Sequence, residues 1–462
     1  MRSILWIFLA FFMGACSLKP SLDLKDANFT STEGPVNFSK EWWRDFSDER
    51  LNALVEKALK NNADLRLAAI NLERASAELG ISRSELLPKL DGSAGASRNK
   101  SAINAPANRT GNFNYGNDFK MGLNLSYEVD LWGKYRDKFG AAAAGVRAGE
   151  FDYEAARLSI IAKVVQLYFN SANAYENLKI LKMSLEDYTQ IHALRQAQYE
   201  VGAISDYEWA QSRAELEGVR ARYTAAVDAK EEWVRALKIL VAQDLDDVLY
   251  NEEEYQHFEG FARSLPEGIS STILLQRPDI AAALEKLVQQ NYLVGVARSA
   301  FLPSLSLTGI LGFESGDLDS LVKNGSQSWS VGGQFLMPIF HWGEIYQNVN
   351  LAKLSKDAAF VAYENTLKTA FAEVRFALSR RKTSLQNYEN HEALLKAQEK
   401  IHALAMARYE SGAIGLGEYL DARRNLLEAK ISFSNARYAV ANAIVDVIKA
   451  FGGGFRADKN GD

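Results

Sequence analysis

The feature that most constrains this chain is an internal repeat. Residues 191–205 read IHALRQAQYEVGAIS and residues 401–415 read IHALAMARYESGAIG, so ten of fifteen positions agree at an offset of 210. The pair Trp132-Gly133 recurs as Trp342-Gly343 at the same offset. Solenoid repeats have periods of roughly 20–50 residues. The longer period therefore predicts a duplicated unit of domain size.

Composition excludes several classes of protein. The 462 residues are 47% apolar and 24% charged, which is enough to form a core, and the formal net charge of −5 gives no electrostatic case for nucleic acid. The five histidines form no H-E-x-x-H motif, and the chain has no G-x-x-x-x-G-K-[ST] loop. The sequence therefore predicts neither an enzyme nor a metal site, and no cofactor.

The amino terminus resembles a lipoprotein signal. Residues 4–13 form an apolar run that is too short to span a bilayer of about 30 Å but suits a secretory signal, predicted as 1–15. The sole cysteine, Cys16, follows Met-Gly-Ala, which resembles the bacterial lipobox and implies a lipid on Cys16. Ser17 rather than Asp follows it, which by resemblance favours the outer membrane. The alternative is an ordinary secretory signal with an incidental cysteine.

Long stretches without proline predict unusually long helices. None of the eight prolines lies between Pro106 and Pro266 or after Pro338, and proline costs a helix interior about 3 kcal/mol. From 134 to about 200, apolar and small residues step by three or four, as in a coiled coil. The polar residues between them argue against a lipid-spanning helix. The stripe consists of Leu158, Ile161, Val165, Tyr168, Ala172, Tyr175, Leu178, Leu181, Leu185 and Tyr188.

The repeated segments have the residues of a helical hairpin tip. Gly202 and Gly412 occupy positions that suit a left-handed C-terminal cap. Ser205 and Glu208 match the S-x-x-E capping box that begins a new helix. In the second copy Gly415 replaces the serine, which gives a poorer N-cap.

Four segments have the alternation of strands with one apolar face. Residues 119–130 alternate strictly, and 88–98, 304–314 and 328–338 do so more weakly. Their lengths match the roughly 9–11 residues of a tilted transmembrane strand. A soluble sandwich edge is the alternative. If the strands span a membrane, their sheet must close, because unpaired backbone groups in lipid cost several kcal/mol each.

Four strands are too few to close alone, since known closed membrane barrels begin at about eight. Other copies of the chain must then complete the wall. Composition does not choose between two copies and three.

Several motifs in order resemble the TolC-like outer membrane factor family, in its lipoprotein efflux branch. The likeness runs from about residue 20 to 456. It is carried by EWWRDFSDERL (41–51), YEVDLWGKYRD (127–137), ILLQRPDI (273–280), SAFLPSLSLTGILGFESGDLDSLV (299–322), WSVGGQFLMPIFHWG (329–343) and FGGGF (451–455).

The resemblance implies a mixed α/β membrane protein. It would be a homotrimer with a 12-stranded outer-membrane β-barrel, four strands per protomer, continued by a periplasmic α-helical barrel. A lipid-anchored extended segment is expected at 16–48 and two transmembrane β-hairpins at 88–131 and 302–340. The helical barrel is expected at 49–87, 134–243, 271–301 and 344–450, and irregular segments at 244–270 and 451–462.

The resemblance also implies partners: outer-membrane lipid, a periplasmic membrane-fusion adaptor, and an inner-membrane pump of the resistance-nodulation-division type. The duplication gives each protomer two tips, and a trimer would present six of them to the adaptor. The residues expected at this contact are Gly202, Ala203, Ser205, Glu208, Gly412, Ala413 and Gly415.

The family's acidic entrance residues fall on Glu418 and Asp421, one helical turn apart. Three copies would place six carboxylates around the periplasmic entrance and favour cations. The alternative is that Glu418 only complements the helix dipole and Asp421 is a surface charge. Ile414 stands where many relatives have Arg, which puts ion-pair locking of the closed entrance in doubt.

Two weaker signals complete the sequence. His192 and His402 are equivalent in the repeat and are interpreted as helix-packing residues, with a pH-sensing role as the alternative. Residues 26–30, DANFT, resemble the acceptor of bacterial N-glycosylation systems, with Asn28 as the modified residue.

The sequence thus predicts a passive efflux channel of the outer membrane. The alternatives are the outer-membrane channel of a type I protein-secretion system and a periplasmic coiled-coil lipoprotein without a pore.

Overall fold

The structure, a computed structural model, describes residues 17–22, 39–101, 114–242 and 277–454. Several predictions lie outside these ranges: the signal at 1–15, Cys16, Asn28, the irregular segment at 244–270 and residues 455–462.

Two very long helices confirm the internal duplication. Helix α3 spans Lys134–Glu200 and helix α6 spans Glu344–Glu410; each has 67 residues, and both ends are offset by 210. The helices that follow them, α4 at Asp206–Val241 and α7 at Leu416–Ala450, begin at the same offset. The other α-helices in the described ranges are α1 (Glu49–Asn61), α2 (Ala63–Ser84) and α5 (Pro278–Ser299). None of the helices described has an apolar stretch long enough to cross a membrane.

Four antiparallel strands form one sheet in the order β1-β2-β3-β4. The sequence predicts two β-hairpins. In the structure β2 pairs with β3, and this pairing joins the two hairpins into one sheet. Gly122 lies opposite Gly312 in this junction, where a Cβ on Gly312 would come within 2.3 Å of the backbone oxygen of Met121. The strands are β1 (Lys89–Ser101), β2 (Asn114–Val129), β3 (Ser304–Ser315) and β4 (Gln327–Leu336).

One face of the sheet is apolar and exposed. Leu123 of β2 pairs with Leu311 of β3, which in turn pairs with Trp329 of β4. These three side chains are between 48% and 76% exposed. An apolar face of this extent matches the lipid-facing side of transmembrane strands, where residues alternate between apolar and polar.

By its internal contacts the chain divides into two compact units. One unit, Met1–Asp26, Asn71–Gly149 and Ala283–Tyr363, contains the sheet; the other, Ala27–Ile70, Glu150–Ala282 and Glu364–Asp462, contains both hairpin tips. In the second unit the predicted stripe of α3 is largely packed. Its fully buried members are Ile161, Val165, Tyr168, Ala172, Leu181 and Tyr188.

The expectation of an extended segment at 16–48 is wrong at its C-terminal end. Trp42–Phe46 forms a 3-10 helix. Both indoles, Trp42 and Trp43, are 1% exposed, and Phe46 packs edge-on against Phe169 of α3 with ring centroids 5.2 Å apart. Burial of this much aromatic surface favours a compact turn over an extended chain.

Candidate functional site at the helical tips

Each long helix ends at a glycine in the left-handed conformation. Gly202 has φ +71° and Gly412 has φ +75°. In the first tip the Ala203 N–H donates to Gln198 O at 2.8 Å, and in the second the Ala413 N–H donates to Arg408 O at 2.8 Å. This bond is the six-to-one bond of a Schellman motif. The two copies of the repeated segment therefore make the same turn.

The first residues of α4 and α7 are capped differently. Ser205 Oγ accepts from the Glu208 N–H at 3.3 Å, and Glu208 Oε2 accepts from the Ser205 N–H at 3.0 Å, which confirms the predicted capping box. Gly415, the N-cap of α7, has extended backbone and no side chain with which to cap. The second helix therefore begins with more unsatisfied N–H groups than the first.

The capping box fixes the charge state of Glu208. The backbone N–H and the hydroxyl of Ser205 both bond to its carboxylate and hold the pKa of Glu208 below its ordinary value. Arg195 adds a smaller effect in the same direction. Glu208 is therefore an ionised group whose hydrogen bonds serve its own helix.

The two acids of α7 are exposed and stand near arginines. The side chain of Glu418 is 63% exposed, and its Oε1 lies 3.9 Å from Arg408 Nη1 across the turn. The side chain of Asp421 is 59% exposed, and its Oδ1 accepts from Arg424 Nη2 at 2.7 Å. The loose pair leaves the charge of Glu418 less compensated than that of Asp421.

Arginines join the two hairpins, a feature that sequence reasoning missed. Arg424 of α7 contacts Glu215 of α4 at 3.2 Å. Other arginine contacts between the hairpins include Arg195 with Tyr409, Arg222 with Glu428, Arg423 with Asp187, and Arg437 with Glu176. Apart from the hydrogen bond of Arg195 to the Tyr409 hydroxyl, these contacts are ion pairs, and they connect the hairpins without an arginine at position 414.

Ile414 itself is packed in an apolar cluster of the tips. It is 9% exposed and lies with Leu416, Tyr419 and Leu420 of the same hairpin and Leu216 of the other. An apolar side chain at this position therefore contributes hydrophobic contact between the hairpins.

Both repeat-equivalent histidines lie among packed side chains. His192 Nδ1 is 2.9 Å from Ser212 Oγ, and the ring centroid of His402 is 5.8 Å from that of Tyr419. Burial lowers the pKa of His402, and Arg423 and Lys430 lower it further while Asp187 opposes them. In the described residues, no group of three or more His, Cys, Asp or Glu side chains could hold a metal ion.

Comparison with known families finds one that covers most of the chain. The model of the outer membrane efflux protein family matches residues 54–242 and 269–453. The two stretches contain the two copies of the repeat.

Individual relatives match along nearly the whole length. The probable efflux pump outer membrane protein TtgC of Pseudomonas putida is 30% identical over 459 residues, with 96% of this chain and 94% of the relative covered. The outer membrane protein OprJ of Pseudomonas aeruginosa is 30% identical, with 97% and 95% covered. Among solved structures, the CmeC outer membrane channel of Campylobacter jejuni superposes with a TM-score of 0.92 at 57% identity, with 96% of each chain covered.

Proposed function

The chain belongs to the outer membrane efflux protein family, and we propose that three copies of it form the outer-membrane channel of a tripartite efflux system. The channel is a passive conduit. Energy for export comes from a proton-driven pump of the inner membrane, and the channel supplies the route to the exterior for drugs and other toxic compounds.

The observation that carries this proposal is the open four-stranded sheet with its exposed apolar face. Its outer strands, β1 and β4, each have one edge without a partner strand in the described sheet. In lipid such edges must be paired, and sister chains are the available partners. Three copies of four strands close a barrel of twelve, within the range of known membrane barrels.

The hairpin tips are the surface proposed to meet the periplasmic adaptor. Both tips end in the same glycine-capped turn, so three protomers present six similar turns in a ring. The tip residues Gly202, Ala203 and Ser205 are exposed in the single chain, as are Gly412 and Ala413. Glu208 completes the capping box of α4, and Gly415 occupies the N-cap position of α7.

Glu418 and Asp421 are proposed to form the acidic ring of the entrance. Because both carboxylates are exposed, they can attract cations from solution. Arg408 and Arg424 lie nearby and reduce the negative electrostatic potential of the two acids. The ring is therefore expected to favour cations moderately, with Glu418 as the stronger contributor.

Planar-bilayer recording of purified, folded trimers tests the conduit. Discrete single-channel conductance is expected. Its absence would favour the coiled-coil lipoprotein without a pore, and purification as a folded monomer would contradict the proposed assembly.

A deletion strain separates efflux from protein secretion. Loss of the protein is expected to increase susceptibility to several drugs, and a complementing copy is expected to reverse it. Unchanged drug susceptibility together with loss of one exported polypeptide would favour the type I secretion channel.

A further inference from the structure

The residues that follow the predicted lipid-modified cysteine are held in a groove of the fold. Ser17 Oγ donates to Asp137 Oδ1 at 2.6 Å, in the first turn of α3. On α5, Arg298 Nη1 donates to the Leu18 carbonyl at 3.2 Å. We call this groove the tether groove; its walls consist of Asp137, Gly140, Asn291, Tyr292, Gly295 and Arg298.

Two further contacts hold the segment. Asn291 Nδ2 donates to the Pro20 carbonyl at 2.8 Å. The ammonium of Lys19 lies 3.9 Å from the centroid of the Tyr292 ring, within the range of a cation–π interaction. Each of residues 17–20 thus contacts the groove, through side chains at 17 and 19 and through carbonyls at 18 and 20.

Two glycines shape the groove. A Cβ on Gly295 would lie 2.1 Å from Asp137 Oδ2 and 2.9 Å from the Lys19 backbone nitrogen. A Cβ on Gly140 would lie 2.6 Å from the Tyr292 ring. Any larger residue at either position would displace the groups that contact the segment. The absence of a side chain at Gly140 and Gly295 therefore leaves the space that the contacts with residues 17–20 require.

Asp137 is the most buried polar group of the groove. It is 2% exposed, and burial raises the pKa of its carboxyl, while the Ser17 hydroxyl and Lys19 oppose that shift. The Oδ2 atom has no hydrogen-bond partner in the part of the chain that the structure describes. A buried carboxylate is costly unless it is hydrogen-bonded, and the Ser17 hydroxyl supplies one such bond.

One residue of the tether groove, Asp137, follows closely in sequence on the end of a strand. Asp137 is eight residues beyond Val129, where β2 ends, and Ser17 directly follows Cys16. We propose that the tether groove is a docking site for residues 17–20, with Asp137 as its positioning residue, and that it directs the acyl chains of Cys16 into the membrane beside the helix-side ends of the strands.

This arrangement differs from a loose tether. A free segment would let the lipid sample a wide area around the protein, whereas a docked segment restricts it to one place. The placement of the acyl chains rests on the proposed function, because it requires the strands to span the outer membrane. The docking of residues 17–20 does not.

A single spin label tests the docking. The label is attached to Ser21→Cys in full-length, lipid-modified trimers in nanodiscs, where the sulfur of Cys16 is blocked by its lipid. We expect an immobilised spectrum that becomes mobile in Ser17→Ala and in Asp137→Ala. Ser17→Thr keeps the hydroxyl and is expected to stay immobilised, and Glu285→Gln is a control carboxylate on α5.

A mobile label in the Ser21→Cys protein without a second substitution would overturn the docking. An immobilised label in both Ser17→Ala and Asp137→Ala would overturn the role of Asp137. If Asp137→Ala does not fold, the comparison of Ser17→Ala with Ser17→Thr still tests the docking, because Ser17 is exposed and its substitution should leave the fold intact. Neither of these two substitutions introduces an aspartate after Cys16, the residue that alters membrane sorting.

Crosslinking tests the lipid placement separately. Cells are fed a palmitate analogue that carries a diazirine, and crosslinked peptides are mapped after illumination. Crosslinks are expected at 129–135 and 336–342, with loss of this focus in Ser17→Ala. Crosslinks spread over the protein despite an immobilised label would overturn the lipid placement and leave the docking intact.

Discussion

Arg424 of α7 lies 3.2 Å from Glu215 of α4 and so joins the second helical hairpin to the first. The other end of the same guanidinium lies 2.7 Å from Asp421, one turn earlier on its own helix. One cation thus balances two carboxylates, one on each hairpin. Its removal would leave two negative charges close together at the tips.

Arg424→Ala is therefore expected to loosen the contact between the hairpins. An ion pair of this exposure contributes about 1 kcal/mol or less, but the substitution also adds repulsion between Glu215 and Asp421. We expect a larger or more often open conductance in planar bilayers. Arg220→Ala is the matched control, because Arg220 pairs only with Glu217 of its own helix among the ion pairs described. Equal conductance in both variants would contradict the prediction.

The sequence predicts the tips better than it predicts how they meet. Gly202, Gly412 and the Ser205–Glu208 box act within a few residues of chain, so their effect can be deduced from local spacing. The pairing of Arg424 with Glu215 depends on which faces of two helices come together. Several helix faces carry arginine or glutamate, so the sequence pattern does not identify which arginine pairs with which glutamate.

In the sheet, too, the sequence predicts the local features but not the contacts between distant segments. Alternation predicts each strand, because it reflects which side chains share a face. The junction between Gly122 and Gly312 depends on contact between segments about 190 residues apart, which no local pattern indicates. The 3-10 helix at Trp42–Phe46 is a third case, since only its packing on Phe169 favours it over an extended chain.

The two acids of α7 are expected to contribute unequally to ion selectivity. Glu418→Gln should reduce cation selectivity more than Asp421→Asn, because Arg424 sits 2.7 Å from Asp421 whereas Arg408 sits 3.9 Å from Glu418. The measurement is the reversal potential of single channels in a KCl gradient. Glu217→Gln, which removes an acid paired within its own helix, is the control. Unchanged selectivity in the Glu418→Gln, Asp421→Asn double variant would exclude the acidic ring.

The two N-caps offer a reciprocal experiment. Ser205→Ala removes the hydroxyl of the capping box and should destabilise the start of α4 by about 1 kcal/mol. Gly415→Ser places a hydroxyl at the matching position of α7, where nothing lies within 4 Å of a new Cβ and the backbone is already extended. A stabilisation of a few tenths of a kcal/mol is expected.

Hydrogen exchange of the first-turn amides of α4 and α7 measures both effects. Exchange should become faster at the first turn of α4 in Ser205→Ala and slower at that of α7 in Gly415→Ser. Faster exchange in Gly415→Ser would contradict the capping argument.

Two glycines of the first hairpin should respond to alanine with opposite signs. Gly202 has φ +71°, where alanine is strained by about 1 kcal/mol although the space around it is open. Gly218 lies inside α4, also in open space, where alanine should stabilise the helix by about 0.5–1 kcal/mol. Thermal unfolding of detergent-solubilised trimers compares them. Destabilisation by both substitutions would contradict the conformational explanation.

His402 should make the stability of the tips depend on pH. Burial lowers the pKa of His402 below 6.5, with Arg423 and Lys430 acting in the same direction and Asp187 opposing. The unfolded state therefore binds the proton more readily, and the free energy of unfolding falls as pH decreases from about 6.5 toward the folded-state pKa. We expect a lower thermal midpoint at pH 5.5 than at pH 7.5, and a smaller difference in His402→Gln. Equal pH dependence in the two proteins would show that His402 does not contribute to it.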